Sequence, residues 1–228
     1  MFSTQLNLFV IIPAFNAERT IARVIHGCVS VVPRENIIVV DDGSTDKTRN
    51  LVEQSGATII VHANNRGKGA ALRSGFSAAL KYGCEAVITL DADLQHDPNC
   101  IVKFVELLKK REDLGIVIGS RWRSGTKMPL DRRFSNSITS FLISIRTGQR
   151  IPDSQSGYRL IKRAVLEKVV TNEDRFMAET EFLLKASSAG FKIGSVHIPT
   201  IYDGESSHIN KFSDTVKFIS LYIRSYFW

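Results

Sequence analysis

The stretch Leu8-Phe9-Val10-Ile11-Ile12-Pro13-Ala14-Phe15-Asn16-Ala17-Glu18 decides how the chain is read. Leu8–Ile12 is a continuous apolar run of the kind a parallel strand shows when both its faces are covered. Pro13 ends it, and a polar turn follows. The next segment, Glu18–Val31, has a helical apolar face at Ile21, Val24, Ile25 and Cys28. A buried strand leading through a polar turn into an amphipathic helix is the first half of a strand–helix–strand unit.

The same unit recurs outward from there. Asn36–Val40 reads as a strand and Thr45–Ser55 as a helix that opens with the Asp46 carboxylate. Thr58–Val61 is a strand, Gly69–Tyr82 a helix and Ala86–Leu90 a strand. Pro98 suits the first turn of a helix running to Lys110, and Ile116–Ile118 is a fifth strand. This alternation predicts an α/β three-layer sandwich with a mostly parallel, Rossmann-like central sheet and right-handed crossovers. Ligands of such sheets lie beyond the carboxyl ends of the strands. The second half is less regular. Gly119–Arg133 reads as a polar loop, Phe134–Ile145 and Glu179–Ala189 as helices, Lys192–Ile198 as a strand and Phe212–Trp228 as an aromatic-rich helix.

The 228 residues suit a single domain, 1–228, with a regular half over 1–120, a less regular half over 121–210 and an amphipathic helix over 211–228. Thirty Lys and Arg against 23 Asp and Glu give a net charge of +7, which favours anionic partners. The three cysteines form no C-x-x-C pair, so neither a zinc knuckle nor a disulfide framework is indicated. No segment reaches about 18 uninterrupted apolar residues, and the N-terminus has no basic region or cleavage site. The expected setting is cytoplasmic, peripheral on the inner face of a membrane.

Polar residues gather at the strand ends: Pro13–Glu18, then Asp41-Asp42-Gly43-Ser44-Thr45-Asp46, then Asp91-Ala92-Asp93-Leu94-Gln95-His96. Carboxylates so placed repel one another unless a cation sits among them. Mg²⁺ or Mn²⁺ bridging a diphosphate would satisfy them, because both prefer oxygen ligands. Asp91 and Asp93 are two apart, so in an extended segment both side chains point the same way. Alone, Asp42-Gly43-Ser44 would serve as a turn and helix cap. Gly67-Lys68-Gly69 lacks the spacing of an ATPase phosphate loop.

In order, these motifs resemble family-2 glycosyltransferases with the GT-A fold, and most closely the dolichyl-phosphate mannosyltransferase-like branch. The resemblance spans roughly residues 8–210 and includes Asn65–Gly69, Gly119-Ser120-Arg121 and Ser156-Gly157-Tyr158-Arg159. It implies a nucleotide-sugar donor, a GDP- or UDP-sugar, bound by Pro13, Phe15, Asn16, Glu18, Asp41, Asp42, Gly67, Lys68, Asp91, Ala92, Asp93 and Gln95. Asp91, Asp93 and Gln95 would hold the metal, with Asp93 and Arg121 catalytic. Arg121, Arg132, Arg133, Ser156 and Glu181 would hold the acceptor, a polyprenyl phosphate or another lipid.

The activity so implied is inverting transfer of a sugar to a polyprenyl phosphate. A phosphate is already ionised near neutral pH and needs no base to attack. The Q-x-x-R-W motif of processive relatives is absent. One alternative is transfer to a hydroxyl, with Glu179 or Glu181 as base. Another is a nucleotidyltransferase, which would need a Gly-rich loop where Pro13–Asn16 stands. No nucleic-acid recognition pattern appears. The C-terminal helix is expected to dock on the membrane surface, with a membrane partner subunit as the other route to a lipid acceptor.

Overall fold

The computed structural model describes residues 6–121, 130–173, 177–199 and 211–228, with residues 130–133 and 211–214 described by their backbone alone. Seven strands form one sheet: β1 (Leu8–Ala14), β2 (Ile37–Asp41), β3 (Thr58–Val61), β4 (Ala86–Thr89), β5 (Leu114–Ser120), β6 (Arg159–Lys162) and β7 (Lys192–His197), in the order β3-β2-β1-β4-β6-β5-β7. Every neighbouring pair is parallel except those of β6, which runs antiparallel between β4 and β5. The fold is the expected α/β sandwich.

Strand β1 shows why the sheet needs cover on both sides. Its side chains alternate between two cores. Leu8, Val10 and Ile12 join one core with α1 (Ile21–Val29) and, beyond a short 3₁₀ turn at Pro98–Cys100, with α4 (Ile101–Lys110), through Ile21, Val24, Ile25, Ile101 and Phe104. The helix α2 (Thr48–Ser55) adds Val52 to this layer. Phe9 and Ile11 join the other core with α3 (Lys68–Lys81). Helix α3 lies very close to the sheet because Gly75 has no side chain, and an added Cβ would collide with Ile11. The same layer holds α5 (Leu130–Thr147), α6 (Arg163–Lys168), α7 (Met177–Ser188) and α8 (Lys211–Arg224), represented by Ile143, Val165, Leu183 and Leu221.

Two expectations are corrected here. Strand β6 and helix α6 were not anticipated. The short β6 segment is polar at both ends and held by its neighbours rather than by a run of its own. The loop expected over 119–133 is shorter, because β5 continues to Ser120 and α5 begins at Leu130. Residues 122–129 of that loop, including Arg123 and Lys127, lie outside the described residues.

Candidate active site

The carboxyl ends of β1 and β2 are joined by their turns. The Asn16 side chain accepts from the Thr45 amide at 2.9 Å, and Ser44 Oγ accepts from the Asn16 amide at 2.9 Å. Glu18 accepts from the Lys47 amide at 3.1 Å, while the Glu18 amide donates to Asp46 at 3.1 Å. Asn16 needs a left-handed backbone, φ 50°, to make this clasp, and asparagine tolerates that conformation better than most residues. Phe15 is left about half exposed beside it, free to meet a planar ligand. Asp41 is buried, and its Oδ1 accepts from the Ser44 amide at 3.0 Å.

Asp42 does something else. Its carboxylate accepts from the amides of Arg66, at 3.0 Å, and Gly67, at 2.7 Å, and His62 Nδ1 lies 2.6 Å away. His62 Nε2 is in turn 2.9 Å from Ser74 Oγ. A buried carboxylate with so many partners is an anchor. It holds the turn before α3 and so sets where Lys68, the first residue of that helix, points.

Lys68 points into the strand-end cluster. Its Nζ lies 2.5 Å from Asp91 Oδ1 and 3.1 Å from Glu179 Oε1. Burial works against the ammonium, but Asp91 and Glu179 outweigh it and raise its pKa. Burial likewise opposes the Asp91 charge, yet Lys68, and after it His96, hold that carboxyl below the usual range. Asp93 is the reverse case. Burial and then the Asp91 charge push its carboxyl upward, against a 3.0 Å hydrogen bond from the Gln95 amide. Leu94, between them, sits at φ 63°, a strained backbone for a leucine. His96 is buried with Nε2 3.8 Å from Asp91, and its Nδ1 has no hydrogen-bond partner.

The wall opposite is the segment 153–159. Thr89 Oγ1 donates to the Gly157 carbonyl at 2.5 Å. The Arg159 guanidinium, fully buried, donates to the carbonyls of Ser154, Ser156 and Glu179, each at 2.8 Å. The arginine therefore fixes both the segment and the first turn of α7. Gly157 is placed so close that an added Cβ would lie 2.5 Å from Asp91 Oδ2 and 2.7 Å from Lys68 Nζ.

The cluster fits a divalent cation bound chiefly through oxygen. Asp93 carries an unfavourable charge that a cation would relieve. Among the described residues no group of three or more His, Cys, Asp or Glu side chains is gathered to enclose a metal.

Residues 9–170 match the profile of glycosyl transferase family 2. The chain belongs to that family. Among its relatives is the UDP-N-acetylglucosamine–dolichyl-phosphate N-acetylglucosaminyltransferase of Methanococcus voltae, 31% identical over 86% of this chain and 86% of the relative. Another is the polyprenol monophosphomannose synthase of Mycolicibacterium smegmatis, 29% identical over 92% of this chain and 82% of the relative. The crystal structure of glucosyl-3-phosphoglycerate synthase from Mycobacterium tuberculosis superposes with a TM-score of 0.79, at 21% identity, over 96% of this chain and 80% of that one. That likeness establishes the fold as GT-A.

Against the residues expected for this glycosyltransferase, the structure brings Lys68, Asp91, Asp93 and the Gln95 backbone together, with Ala92 half-buried between the two aspartates. Pro13, Phe15, Asn16, Glu18 and Asp41 line the neighbouring turns. Four of the expected residues are buried or already partnered. Asp42 is committed to the turn at 66–67 and presents no open carboxylate to a nucleoside. Ser156 is fully buried inside its segment. Glu181 is buried, with Oε2 accepting from the amides of Asn172, at 2.8 Å, and Glu173, at 2.9 Å, and Oε1 2.8 Å from Lys185. Both of its carboxylate oxygens are thus engaged, by the backbone of 172–173 and by Lys185. Arg121 turns its guanidinium onto buried Asp153, at 2.8 and 3.0 Å, so its fork is already filled by a carboxylate. Arg132 and Arg133 fall in α5, and their side chains lie outside the described residues.

Gly157, Arg159 and Asp153 were missed as site residues. Gly157 and Arg159 belong to a motif visible in the sequence, but nothing local reveals which groups they face. The Glu179 ion pair with Lys68 joins residues 111 positions apart, a separation no local pattern reveals.

The Glu181 geometry predicts a separation of effects. Glu181→Gln should leave turnover within about threefold while lowering stability by about 1–3 kcal/mol, the usual cost of leaving buried donors poorly paired. Thermal melting and steady-state rates on the same preparation check this; a loss of about a hundredfold in rate at unchanged stability would restore Glu181 as a base.

Proposed function

We propose that the chain transfers a sugar from a nucleoside-diphosphate sugar to the phosphate of a polyprenyl phosphate, with inversion. The observation that carries this is the Asp91–Asp93–Lys68 cluster at the strand ends, joined to relatives that act on dolichyl and polyprenyl phosphates. Residues 1–120 then form the donor half, 121–210 the acceptor half, and 211–228 a docking helix.

In this reading Phe15 and Asp41 meet the nucleoside, and Asp91 and Asp93, with the Gln95 segment, hold Mg²⁺ or Mn²⁺. When bound, the ion would neutralise charge on the departing diphosphate. An acceptor phosphate oxygen forms the new bond to the anomeric carbon as the bond to the diphosphate oxygen breaks. The acceptor oxygen is ionised already, so no protein base is required. Glu179, the carboxylate that does reach the site, is engaged with Lys68. With Arg121 held by Asp153, the acceptor phosphate falls to Arg132 and Arg133 at the start of α5. Arg121 becomes a positioning residue for the 153–159 wall.

A polyprenyl chain stays in a bilayer, so the enzyme has to come to it. Among the described residues no helix is long and apolar enough to cross a membrane. Two helices expose apolar stripes instead: Phe134, Ile138, Phe141 and Ile145 on α5, and Val216, Ile219 and Ile223 on α8, which continues into exposed Tyr226, Phe227 and Trp228. The opposite face of α8 is buried at Leu221, and Ser225 beyond it is buried too. The helix therefore both closes the core and presents an apolar side. Arg146 at the end of α5 hydrogen-bonds Ser225 and stacks on Tyr226, tying the two elements together. Aromatic and aliphatic residues interspersed with cations suit the headgroup boundary. Truncation would injure the core, so point substitutions are the cleaner test. Ile219→Glu with Ile223→Glu should reduce co-flotation with anionic vesicles at least about fivefold at unchanged melting temperature, since each apolar residue withdrawn and each charge added opposes insertion. Unchanged flotation would remove α8 from the docking surface.

The activity itself is tested by incubating purified chain and Mn²⁺ with a panel of nucleotide sugars. Release of nucleoside diphosphate should rise on adding polyprenyl phosphate for one donor. No stimulation with any donor would overturn the acceptor class.

A further inference from the structure

The Lys68 ammonium sits between two carboxylates of the site. It touches Asp91 at 2.5 Å and Glu179 at 3.1 Å, and these side chains are mostly withdrawn from solvent, Lys68 being 19% exposed and Glu179 11%. Three features hold it there. The Asp42 anchor fixes the turn from which it springs. Glu179 grips it from α7, whose first turn is itself clamped by Arg159. Gly157 backs directly onto the pair, so the ammonium cannot retreat in that direction. Asp91 is thus neutralised by the chain itself, whereas Asp93 Oδ1 accepts from the Gln95 amide and the carboxyl makes no contact with the ammonium, so it bears the residual repulsion of Asp91.

We propose that Lys68 is a built-in counter-cation that holds Asp91 while the site is metal-free and yields that carboxylate when a divalent cation arrives, with Glu179 as the post to which the ammonium then remains attached. The inference rests on the reading that Asp91 and Asp93 bind the metal, and it adds a property of the chain: the site is pre-assembled without metal at the expense of metal affinity. An exposed lysine would not do this, since solvent would screen it. A lysine lacking a second carboxylate would have nowhere to stay once displaced. A divalent ion and an ammonium cannot both sit within contact of one carboxylate oxygen without strong repulsion. Metal binding therefore includes moving Lys68, whose ammonium stays on Glu179.

The test measures Mn²⁺ binding to the donor-free chain, by calorimetry or the paramagnetic resonance of free Mn²⁺, for the wild type, Lys68→Met, Arg66→Met and Asp91→Asn. Lys68→Met should bind Mn²⁺ at least about tenfold more tightly, the effect expected from removing a like charge in contact with a ligand. Arg66→Met, which removes a nearby cation that makes no ion pair with Asp91, should stay within about threefold; an equal gain there would show a general charge effect and overturn the inference. Melting in EDTA and in Mn²⁺ gives a second readout. Lys68→Met should melt lower than wild type in EDTA, and Mn²⁺ should raise its melting point by more than it raises the wild type's. Mn²⁺ binding to the wild type with unchanged affinity in Lys68→Met, and no extra stabilisation by Mn²⁺, overturns the counter-cation role alone. Absence of Mn²⁺ binding in every chain, or binding that survives Asp91→Asn undiminished, overturns the metal reading and the inference with it.

Discussion

Asp93→Asn should lower turnover by at least about a hundredfold, the scale seen when a preorganised electrostatic group is lost from an active site. The carboxyl is pushed upward by burial and by Asp91, so its negative charge is unfavourable in the metal-free site and becomes useful only with a cation present. The amide is nearly isosteric, and its oxygen can still accept the Gln95 hydrogen bond that shapes the turn. Fold and turn should therefore survive, and the loss should lie in the chemistry. Initial rates in saturating Mn²⁺, with melting temperature as control, check this. Full activity in the variant, or in wild type treated with EDTA, would dismiss metal dependence.

Gly157→Ala is the second large effect. Its methyl would fall 2.5 Å from Asp91 Oδ2 and 2.7 Å from Lys68 Nζ, distances no Cβ tolerates. The segment cannot easily back away. Thr89 holds its carbonyl from the sheet, and Arg159 holds the carbonyls of Ser154 and Ser156 just before it. The displacement must therefore be taken by Asp91, Lys68 or both. A misplacement of about 1 Å in a reacting assembly can cost on the order of a hundredfold, so a loss between about tenfold and a hundredfold in kcat/KM is expected. Activity within twofold of wild type would mean that the wall moves freely and does not shape the site.

The parts of this protein legible from the sequence are those where local pattern and global role coincide. Strand β1 announces itself because parallel strands are buried on both faces, and Leu8–Ile12 is apolar throughout. Asp91 and Asp93 are legible because the carboxyl end of such a strand is where ligands lie. Strand β6 was hidden for the opposite reason. Arg159–Lys162 is charged at both ends, and it is a strand because β4 and β5 flank it with antiparallel partners from far along the chain.

The same distinction runs through the site. Asp42 follows Asp41 directly, and adjacent carboxylates invite a shared role. Yet successive strand-end residues point to opposite sides, and Asp42 turns to the loop that launches α3. Glu181 and Glu179 are two apart on a helix and so face different ways. One reaches Lys68 and the other holds the backbone of 172–173. Arg121 has the sequence surroundings of a phosphate ligand, and only the fold shows Asp153 already in its fork.

The central claim is that the acceptor oxygen belongs to a phosphate and needs no base from the protein. Product analysis tests it most directly. The purified chain, with Mn²⁺ and the donor it accepts, is offered either a polyprenyl phosphate or the polyprenol of the same length, and the lipid fraction is read by mass spectrometry. The account predicts a polyprenyl phosphate carrying one sugar, with no sugar on the polyprenol. Sugar transferred to the free alcohol at a comparable rate would contradict it.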